Sequence, residues 1–297
     1  MAHCELRMTL THAPLIRAAD LATLLQSSPS RALIVDCSFD LADVEAGARA
    51  YAAAHLPGAR YLHLDNDLSG ARTGRNGRHP LPERSRFTER MASLGADDAT
   101  RVIAYDNAGG AYAARLWWLL RWVGHASVSV LDGGVGAWRA AGYALEAGAG
   151  PPPARRGSFS LRPSLTHSVN HGELRQGLSN KRYLIVDARA RERYRGEVET
   201  IDPVAGHIPG AINRPFRDNL RADGLFKSHD ELRAEWLALL GGRDISQVVN
   251  QCGSGVTACH NLLALEVAGL GGGALYPGSW SEWCAQPGAP VASGPAP

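Results

Sequence analysis

The sequence of 297 residues lacks any apolar run that approaches a membrane span, which needs about 18 or more consecutive apolar residues. Its first 14 residues include His3, Glu5 and Arg7 in place of the apolar core of a secretory signal, so no such signal is expected. The formal net charge is only +2. We therefore expect neither nucleic acid nor a membrane among the partners.

The sequence also has few cysteines, none of them in a CxxC pair, and few lysines. The five cysteines are an odd number without a CxxC pair, which argues against a disulfide framework and a structural zinc site and favours a reducing cytoplasm. They are Cys4, Cys37, Cys252, Cys259 and Cys284. Among 31 basic residues only Lys181 and Lys227 are lysines. The many arginines suit the binding of small carboxylates or oxyanions.

What the sequence does contain is a cysteine between an apolar strand and a glycine-rich loop. Residues 248–251 lead into Cys252, then into Gly253, Ser254, Gly255 and Val256, and residues 258–267 are predicted to be helical. This order places the thiol at the carboxyl end of a strand and the amino end of a helix, where ligands bind in open α/β sheets and amides favour an anion. The pattern is typical of a catalytic thiolate. The alternative is a small buried side chain, the commoner role of a lone cysteine after a strand.

Four features of the first half recur in the same order in the second half. Their offsets are 151, 152, 146 and 145 residues, and so constant a spacing predicts a duplicated domain. The pairs are Leu33-Ile34-Val35-Asp36 with Leu184-Ile185-Val186-Asp187, His55-Leu56-Pro57-Gly58-Ala59 with His207-Ile208-Pro209-Gly210-Ala211, residues 102–110 with the cysteine run, and Leu131-Asp132-Gly133-Gly134 with Tyr276-Pro277-Gly278-Ser279.

The duplication predicts the domain organisation. Residues 1–147 are expected to form the first domain, residues 148–160 a linker stiffened by successive prolines, and residues 161–297 the second domain. Short β-rich runs alternate with helical stretches such as 18–26, 84–94, 113–123 and 231–240, which predicts an α/β fold with mainly parallel sheets flanked by helices. Asp36 and Asp187 end their strands and are expected to tie the following loops.

The two halves differ at the cysteine. Asp106 occupies in the first half the position that Cys252 occupies in the second. Since a carboxylate cannot do the chemistry of a thiol, the first domain is predicted to be catalytically silent. A cleft between the domains would then supply substrate contacts from both sides.

The duplicated His-[Leu/Ile]-Pro-Gly-Ala motif, the cysteine loop and the Gly-Ser-Trp-Ser-Glu-Trp element together resemble the two-domain rhodanese family of sulfurtransferases, from about Pro14 to Trp283. The resemblance implies tandem rhodanese-like domains with Cys252 as the nucleophile that accepts sulfur. Since that chemistry uses the thiol alone, no metal and no organic cofactor is implied.

The resemblance also implies further site residues. Arg193 aligns with an arginine that binds the substrate carboxylate, a task that suits a planar, bidentate guanidinium. Asp65 and His79 of the first domain align with residues that line the cleft. Together with Ser254 they correspond to a serine–histidine–aspartate relay that assists the chemistry.

Within the family, the loop at residues 252–257 is similar to the 3-mercaptopyruvate type, because the thiosulfate type has basic residues directly after the cysteine. The implied reaction moves sulfur from 3-mercaptopyruvate to Cys252, releases pyruvate, and then passes the outer sulfur to a thioredoxin, a small thiol or cyanide. Amides from Gly253 to Thr257 would stabilise the thiolate and the persulfide. The Thr257 hydroxyl would either cap the helix or contact the sulfur.

One stretch departs from the 3-mercaptopyruvate pattern. A second carboxylate-binding arginine often follows the first, but residues 197–203 contain none. Such a loss removes one charge-assisted hydrogen bond, typically about 1.5–3 kcal/mol. Arg189 and Arg195 are candidates to replace it, and the choice of donor therefore stays open.

Three alternatives remain. Thiosulfate sulfurtransferase shares the fold and the nucleophile. Cysteine phosphatases and arsenate reductases also bind an oxyanion at a strand–helix junction, but their loops usually end in an arginine, where this sequence has Thr257 and Ala258. A non-catalytic sulfur carrier or interaction module would account for Asp106 but not for the intact Cys252 loop.

Overall fold

Each half of the chain builds one five-stranded parallel sheet in the computed structural model, which describes residues 12–27, 32–150, 152 and 155–296. The first sheet contains β1 (Leu15–Ile16), β2 (Ala32–Asp36), β3 (Arg60–Tyr61), β4 (Arg101–Tyr105) and β5 (Val128–Leu131). The second contains β6 (His167–Ser168), β7 (Leu184–Asp187), β8 (Ile212–Asn213), β9 (Val248–Gln251) and β10 (Ala274–Leu275). The strand orders, β1-β5-β4-β2-β3 and β6-β10-β9-β7-β8, are equivalent. The predicted duplicated α/β fold is therefore confirmed.

Ten helices alternate with these strands in the described residues. They are α1 (Ala18–Ser27), α2 (Ala46–Ala53), α3 (Arg84–Ser93), α4 (Ala113–Trp122), α5 (Gly134–Ala140), α6 (His171–Ser179), α7 (Arg191–Arg195), α8 (His229–Leu240), α9 (Thr257–Val267) and α10 (Ser279–Trp283). The sequence predicted α8 two residues too late, because Ser228 and Glu231 form a capping box that starts the helix at His229.

The two domains share an apolar core through α4 and α9, which are equivalent helices of the two halves and pack on each other. Trp118 and Leu116 of α4 and Leu263 of α9 are buried in it. Removing one such side chain from water contributes about 1.5–3 kcal/mol. Since α4 follows the Asp106 loop and α9 follows the Cys252 loop, their packing brings both loops to the cleft.

The segment between the domains lies along the first domain for most of its described length. The amides of Gly157, Arg162 and Leu165 donate to the carbonyls of Ala92, Val123 and Arg121, at 2.8, 2.9 and 2.9 Å. Phe159 is buried against the first domain. The chain therefore crosses to the second domain between residue 165 and β6. Residues 151, 153 and 154 of the predicted linker lie outside the described residues.

The carboxyl ends of β7 and β9 form the edge where ligands are expected. The two strands are neighbours, but the chain leaves β7 toward β8 on one side and β9 toward β10 on the other, which makes this a topological switch point. Asp187 at the end of β7 accepts the amide of Arg189 at 2.9 Å, and Asp36 accepts that of Ser38 at 2.7 Å. Their predicted role of tying loops is confirmed. In the described ranges, no helix has the length and apolarity to cross a bilayer.

Candidate active site

Cys252 lies at the base of the switch-point crevice with its side chain inside a turn of backbone amides. The residue is 2% exposed. Its Sγ atom accepts hydrogen bonds from the amides of Ser254 at 3.4 Å and Gly255 at 3.1 Å. Gly255 has a φ of +77°, and a Cβ atom there would lie 2.3 Å from the carbonyl oxygen of Pro277. The loop therefore requires glycine at this position and forms a nest that favours an anionic sulfur.

A neighbouring turn holds the backbone of Cys252. The hydroxyl of Ser279 accepts the Cys252 amide at 3.0 Å and donates to the carbonyl of Tyr276 at 2.9 Å, while the amide of Trp280 donates to the carbonyl of Cys252. Ser279 adopts a φ of +53°, which is unfavourable for a residue with a side chain. Its equivalent in the first domain is Gly134, with a φ of +54°. The second domain thus accepts backbone strain and gains a hydroxyl that positions the cysteine.

The equivalent loop of the first domain is occupied by its own anion. The buried Asp106 carboxylate accepts four backbone amides at 2.8–2.9 Å, from Ala108, Gly110, Tyr112 and Ala113. The same local architecture therefore encloses a permanent carboxylate in one domain and a thiol in the other. This supports the prediction that the first domain is catalytically silent.

Above Cys252 lies a cavity of about 290 Å³ formed by both domains. The first domain contributes Leu41, Leu64, Arg78, Ala108, Ala111 and Tyr112, and the second contributes Ala188, Arg189, Ala190, Arg193, Phe216, Arg217, Cys252, Gly253, Ser254, Val256 and Thr257. A larger cavity of about 520 Å³ lies at the amino-terminal ends of β6, β9 and β10, away from the thiol. Because ligands of such sheets bind at the carboxyl ends, the smaller cavity is the candidate site.

Three polar side chains contact one another in a row across the domain boundary: Ser254 contacts His79, and His79 contacts Asp65. Nδ1 of His79 is 2.7 Å from the Ser254 hydroxyl, and Nε2 is 3.3 Å from a carboxylate oxygen of Asp65. A carboxylate only accepts hydrogen bonds, so the ring proton belongs on Nε2, and Nδ1 accepts from the hydroxyl. Burial, reinforced by nearby arginines, lowers the pKa of His79 to about 3. The imidazole is therefore neutral near pH 7.

Arg193 reaches the cavity but is not a free cation. It donates to Glu199 at 2.8 Å and to Asp202 at 3.0 Å, and both carboxylates are buried. Asp202 also binds Arg78 of the first domain. The loop in which the sequence lacks a second arginine therefore supplies two carboxylates that position Arg193 and Arg78 beside Gly253.

The two candidates to replace the missing arginine differ in position. Arg189 lines the cavity but is committed to Asp187 at 2.7 Å. Arg195 is absent from the cavity lining and lies 3.7 Å from Glu197 at the surface. Arg217 also lines the cavity and makes no ion pair within the described part of the chain.

The start of α9 corrects one interpretation of Thr257. Val256 is the N-cap residue and Thr257 is the first helical residue, without a side-chain hydrogen bond that caps the helix. The capping role is therefore wrong, because the helix starts at Thr257, one residue earlier than a cap at Thr257 requires.

Sequence reasoning missed Arg115 and Arg78. Arg115 is fully buried in α4 and donates to the carbonyls of Gly255 at 3.1 Å and His79 at 3.0 Å, which joins the cysteine loop to the histidine segment. A charged residue between the apolar residues of α4 was its sequence signal, because such burial is costly without partners. Arg78 precedes His79 directly, but its approach to the second domain had no local signal.

Comparisons with known proteins agree with this geometry. The rhodanese-like domain family matches residues 18–141 and 170–286. A Pseudomonas aeruginosa protein named as a probable 3-mercaptopyruvate sulfurtransferase is 46% identical over 96% of this chain and 100% of its own length. A mouse thiosulfate sulfurtransferase is 34% identical over 84% of each chain. The solved 3-mercaptopyruvate sulfurtransferase of Leishmania major has a TM-score of 0.80 at 31% identity, covering 92% of this chain and 75% of that one. This chain belongs to the two-domain rhodanese family of sulfurtransferases.

Proposed function

We propose that this protein transfers sulfur from 3-mercaptopyruvate to a thiol acceptor through a persulfide on Cys252. The observation that carries the proposal is a thiol inside an amide nest, at the base of a cavity that Arg193 and Arg78 also line. The nest favours the nucleophilic thiolate, and the guanidinium groups suit the carboxylate of a small keto acid.

In the first half-reaction the Cys252 thiolate attacks the sulfur of 3-mercaptopyruvate. A sulfur–sulfur bond forms while the carbon–sulfur bond breaks, and the electron pair of that bond passes to the pyruvate enolate. The thiol proton of the donor ends on the methyl carbon of pyruvate, which leaves a persulfide anion on the enzyme. The amides of Ser254 and Gly255 would hold this anion as they hold the sulfur of Cys252.

Ser254, His79 and Asp65 are proposed to guide that proton. The neutral His79 ring accepts from Ser254, and the Asp65 carboxylate fixes the ring tautomer. The hydroxyl oxygen of Ser254 is then free to accept a hydrogen bond from the donor thiol. This arrangement resembles general acid–base catalysis through an oriented imidazole.

In the second half-reaction an acceptor thiolate attacks the outer sulfur. The persulfide bond breaks, its electron pair returns to Cys252, and the sulfur leaves on the acceptor, for which a thioredoxin or a small thiol is proposed. A reducing compartment such as the cytoplasm suits this cycle. Cys37, Cys252, Cys259 and Cys284, the cysteines within the described residues, are all free thiols.

The test compares kcat/KM for 3-mercaptopyruvate and thiosulfate, with pyruvate release and the mass of the Cys252 peptide measured in single turnover. We expect pyruvate and one added sulfur atom in equal amounts, and at least about a tenfold preference for 3-mercaptopyruvate, or about 1.4 kcal/mol in the transition state. Cys252→Ser should abolish both signals without unfolding the protein. A preference for thiosulfate would instead assign the arginine-lined cavity to that dianion.

A further inference from the structure

We propose that Arg78 of the silent first domain is the second carboxylate-binding arginine of the site, acting with Arg193 as a two-arginine clamp on the donor. This inference rests on the proposed function, because it concerns the same keto-acid donor. It assigns to the first domain a specificity-determining residue that replaces the arginine missing from residues 197–203.

The backbone around Arg78 is fixed against the second domain. A Cβ atom on Gly77 would lie 2.7 Å from the carbonyl oxygen of Gly278, so the backbones of the two domains are in close contact at Gly77. The amide of Arg78 donates to the Ser281 hydroxyl at 3.0 Å, and the next residue, His79, binds the second domain through its ring. The side chain of Arg78 therefore starts from a fixed position beside the cysteine loop.

The loop that lacks an arginine supplies the residue that orients Arg78. One oxygen of the buried Asp202 carboxylate accepts from Nη1 of Arg78, and the other accepts from Nη2 of Arg193 at 3.0 Å. One carboxylate thus holds two guanidinium groups from different domains. Their separation is fixed by a shared partner, which lowers the entropy lost when both bind a ligand.

The two guanidinium groups meet over Gly253, the residue after the nucleophile. A Cβ atom built on Gly253 would lie 3.0 Å from Nη2 of Arg78 and 3.4 Å from Nη1 of Arg193. Neither of these nitrogens donates to a carboxylate in the interactions of the described residues, and both arginines line the cavity. The positive charge next to Gly253 is thus supplied by Arg78 and Arg193, which belong to two other segments of the chain. A Cβ atom on Gly253 would crowd both guanidinium groups and shift them by a few tenths of an ångström.

This placement fits a planar carboxylate next to the reacting sulfur. Two N–H groups from two fixed guanidinium groups can bind the two oxygens of one carboxylate. In 3-mercaptopyruvate the carboxylate is two carbon atoms from the carbon that bears the sulfur. A clamp over Gly253 therefore binds the carboxylate one residue away from the Cys252 thiolate that attacks.

The test separates the two half-reactions of the ping-pong cycle in Arg78→Gln, Arg78→Lys and the control Arg75→Gln. Arg75 is exposed on the same segment and undergoes the same change of charge. We expect Arg78→Gln to lower kcat/KM for 3-mercaptopyruvate about 10- to 100-fold, as the loss of one charge-assisted hydrogen bond does. The value for a neutral dithiol acceptor should stay within about twofold, Arg78→Lys should recover part of the loss, and Arg75→Gln should match the wild type.

Each contrary result has a distinct meaning. If Arg78→Gln matches Arg75→Gln while the wild type releases pyruvate, the proposed function stands and the clamp is wrong. If both half-reactions fall and Arg78→Lys is as impaired as Arg78→Gln, Arg78 has only a structural role and the clamp is again wrong. If the wild type releases no pyruvate from 3-mercaptopyruvate, the proposed function itself fails, and the clamp fails with it.

Discussion

Replacing Asp106 with asparagine should destabilise the first domain strongly, although the two side chains have the same shape. Each carboxylate oxygen of Asp106 accepts two buried backbone amides. Asparagine keeps one oxygen, and its NH₂ group faces the other two N–H donors. Two hydrogen bonds to a charged group are lost at about 1.5–3 kcal/mol each, so we expect the free energy of unfolding to fall by about 3–6 kcal/mol.

Equilibrium unfolding in urea, followed by tryptophan fluorescence and circular dichroism, measures this loss. Asp223→Asn is the matched control, because that carboxylate is exposed and accepts a single backbone amide, from Leu225. Its effect should stay within about 0.5 kcal/mol. If Asp106→Asn costs less than about 1 kcal/mol or equals the control, the nest does not depend on an enclosed anion. The electrostatic argument for the thiolate in the equivalent Cys252 loop would then lose its support.

Three further predictions concern Arg115, Ser279 and pH. Arg115→Met removes the donor to the carbonyls of Gly255 and His79, so the free energy of unfolding in urea should fall by about 1.5–3 kcal/mol; an unchanged free energy would show that these hydrogen bonds do not stabilise the fold. Ser279→Ala should be less stable in urea than Ser279→Gly by about 1–2 kcal/mol, because both lose the hydroxyl but only alanine keeps the left-handed strain; equal stabilities would refute the strain. Burial lowers the pKa of His79 to about 3 and of His260 to about 4. In the unfolded chain both histidines have their ordinary pKa of about 6.5, so below that pH only the unfolded chain gains a proton at these positions. The free energy of unfolding should therefore fall by about 2 kcal/mol per histidine between pH 7 and pH 5. A pH-independent free energy of unfolding over that range would contradict this.

The first domain contributes to the candidate site although it has Asp106 at the position of the cysteine. Its Asp106 loop is closed by its own carboxylate. Three residues near that aspartate, Ala108, Ala111 and Tyr112, form one wall of the candidate cavity. Its Arg115 also contacts the cysteine loop of the second domain. A domain without the cysteine therefore still forms part of the candidate site.

Features that depend on local order were readable from the sequence. The strand, cysteine and glycine-rich loop around Cys252 predicted the nest, because glycine adopts a left-handed turn without steric cost. The repeated motifs predicted two equivalent sheets, since each motif marks a strand end or a turn. The helix ends were predicted to within two residues. The largest difference is the start of α8, where the cap at Ser228 was not considered.

The resemblance already implied the relay in which His79 meets Ser254 across 175 residues. The contacts of Arg115 and Arg78 depended on tertiary structure alone, since Arg115 meets Gly255 across 140 residues and Arg78 meets Asp202 across 124. The resemblance indicated that an arginine is missing from residues 197–203, but only the packing of the two domains brings Arg78 to Asp202 of that stretch. Local propensity acts over a few residues, whereas an ion pair between domains depends on how two whole cores pack. The candidate nucleophile and its loop were therefore determined by the sequence itself, and the cations that surround them by the fold.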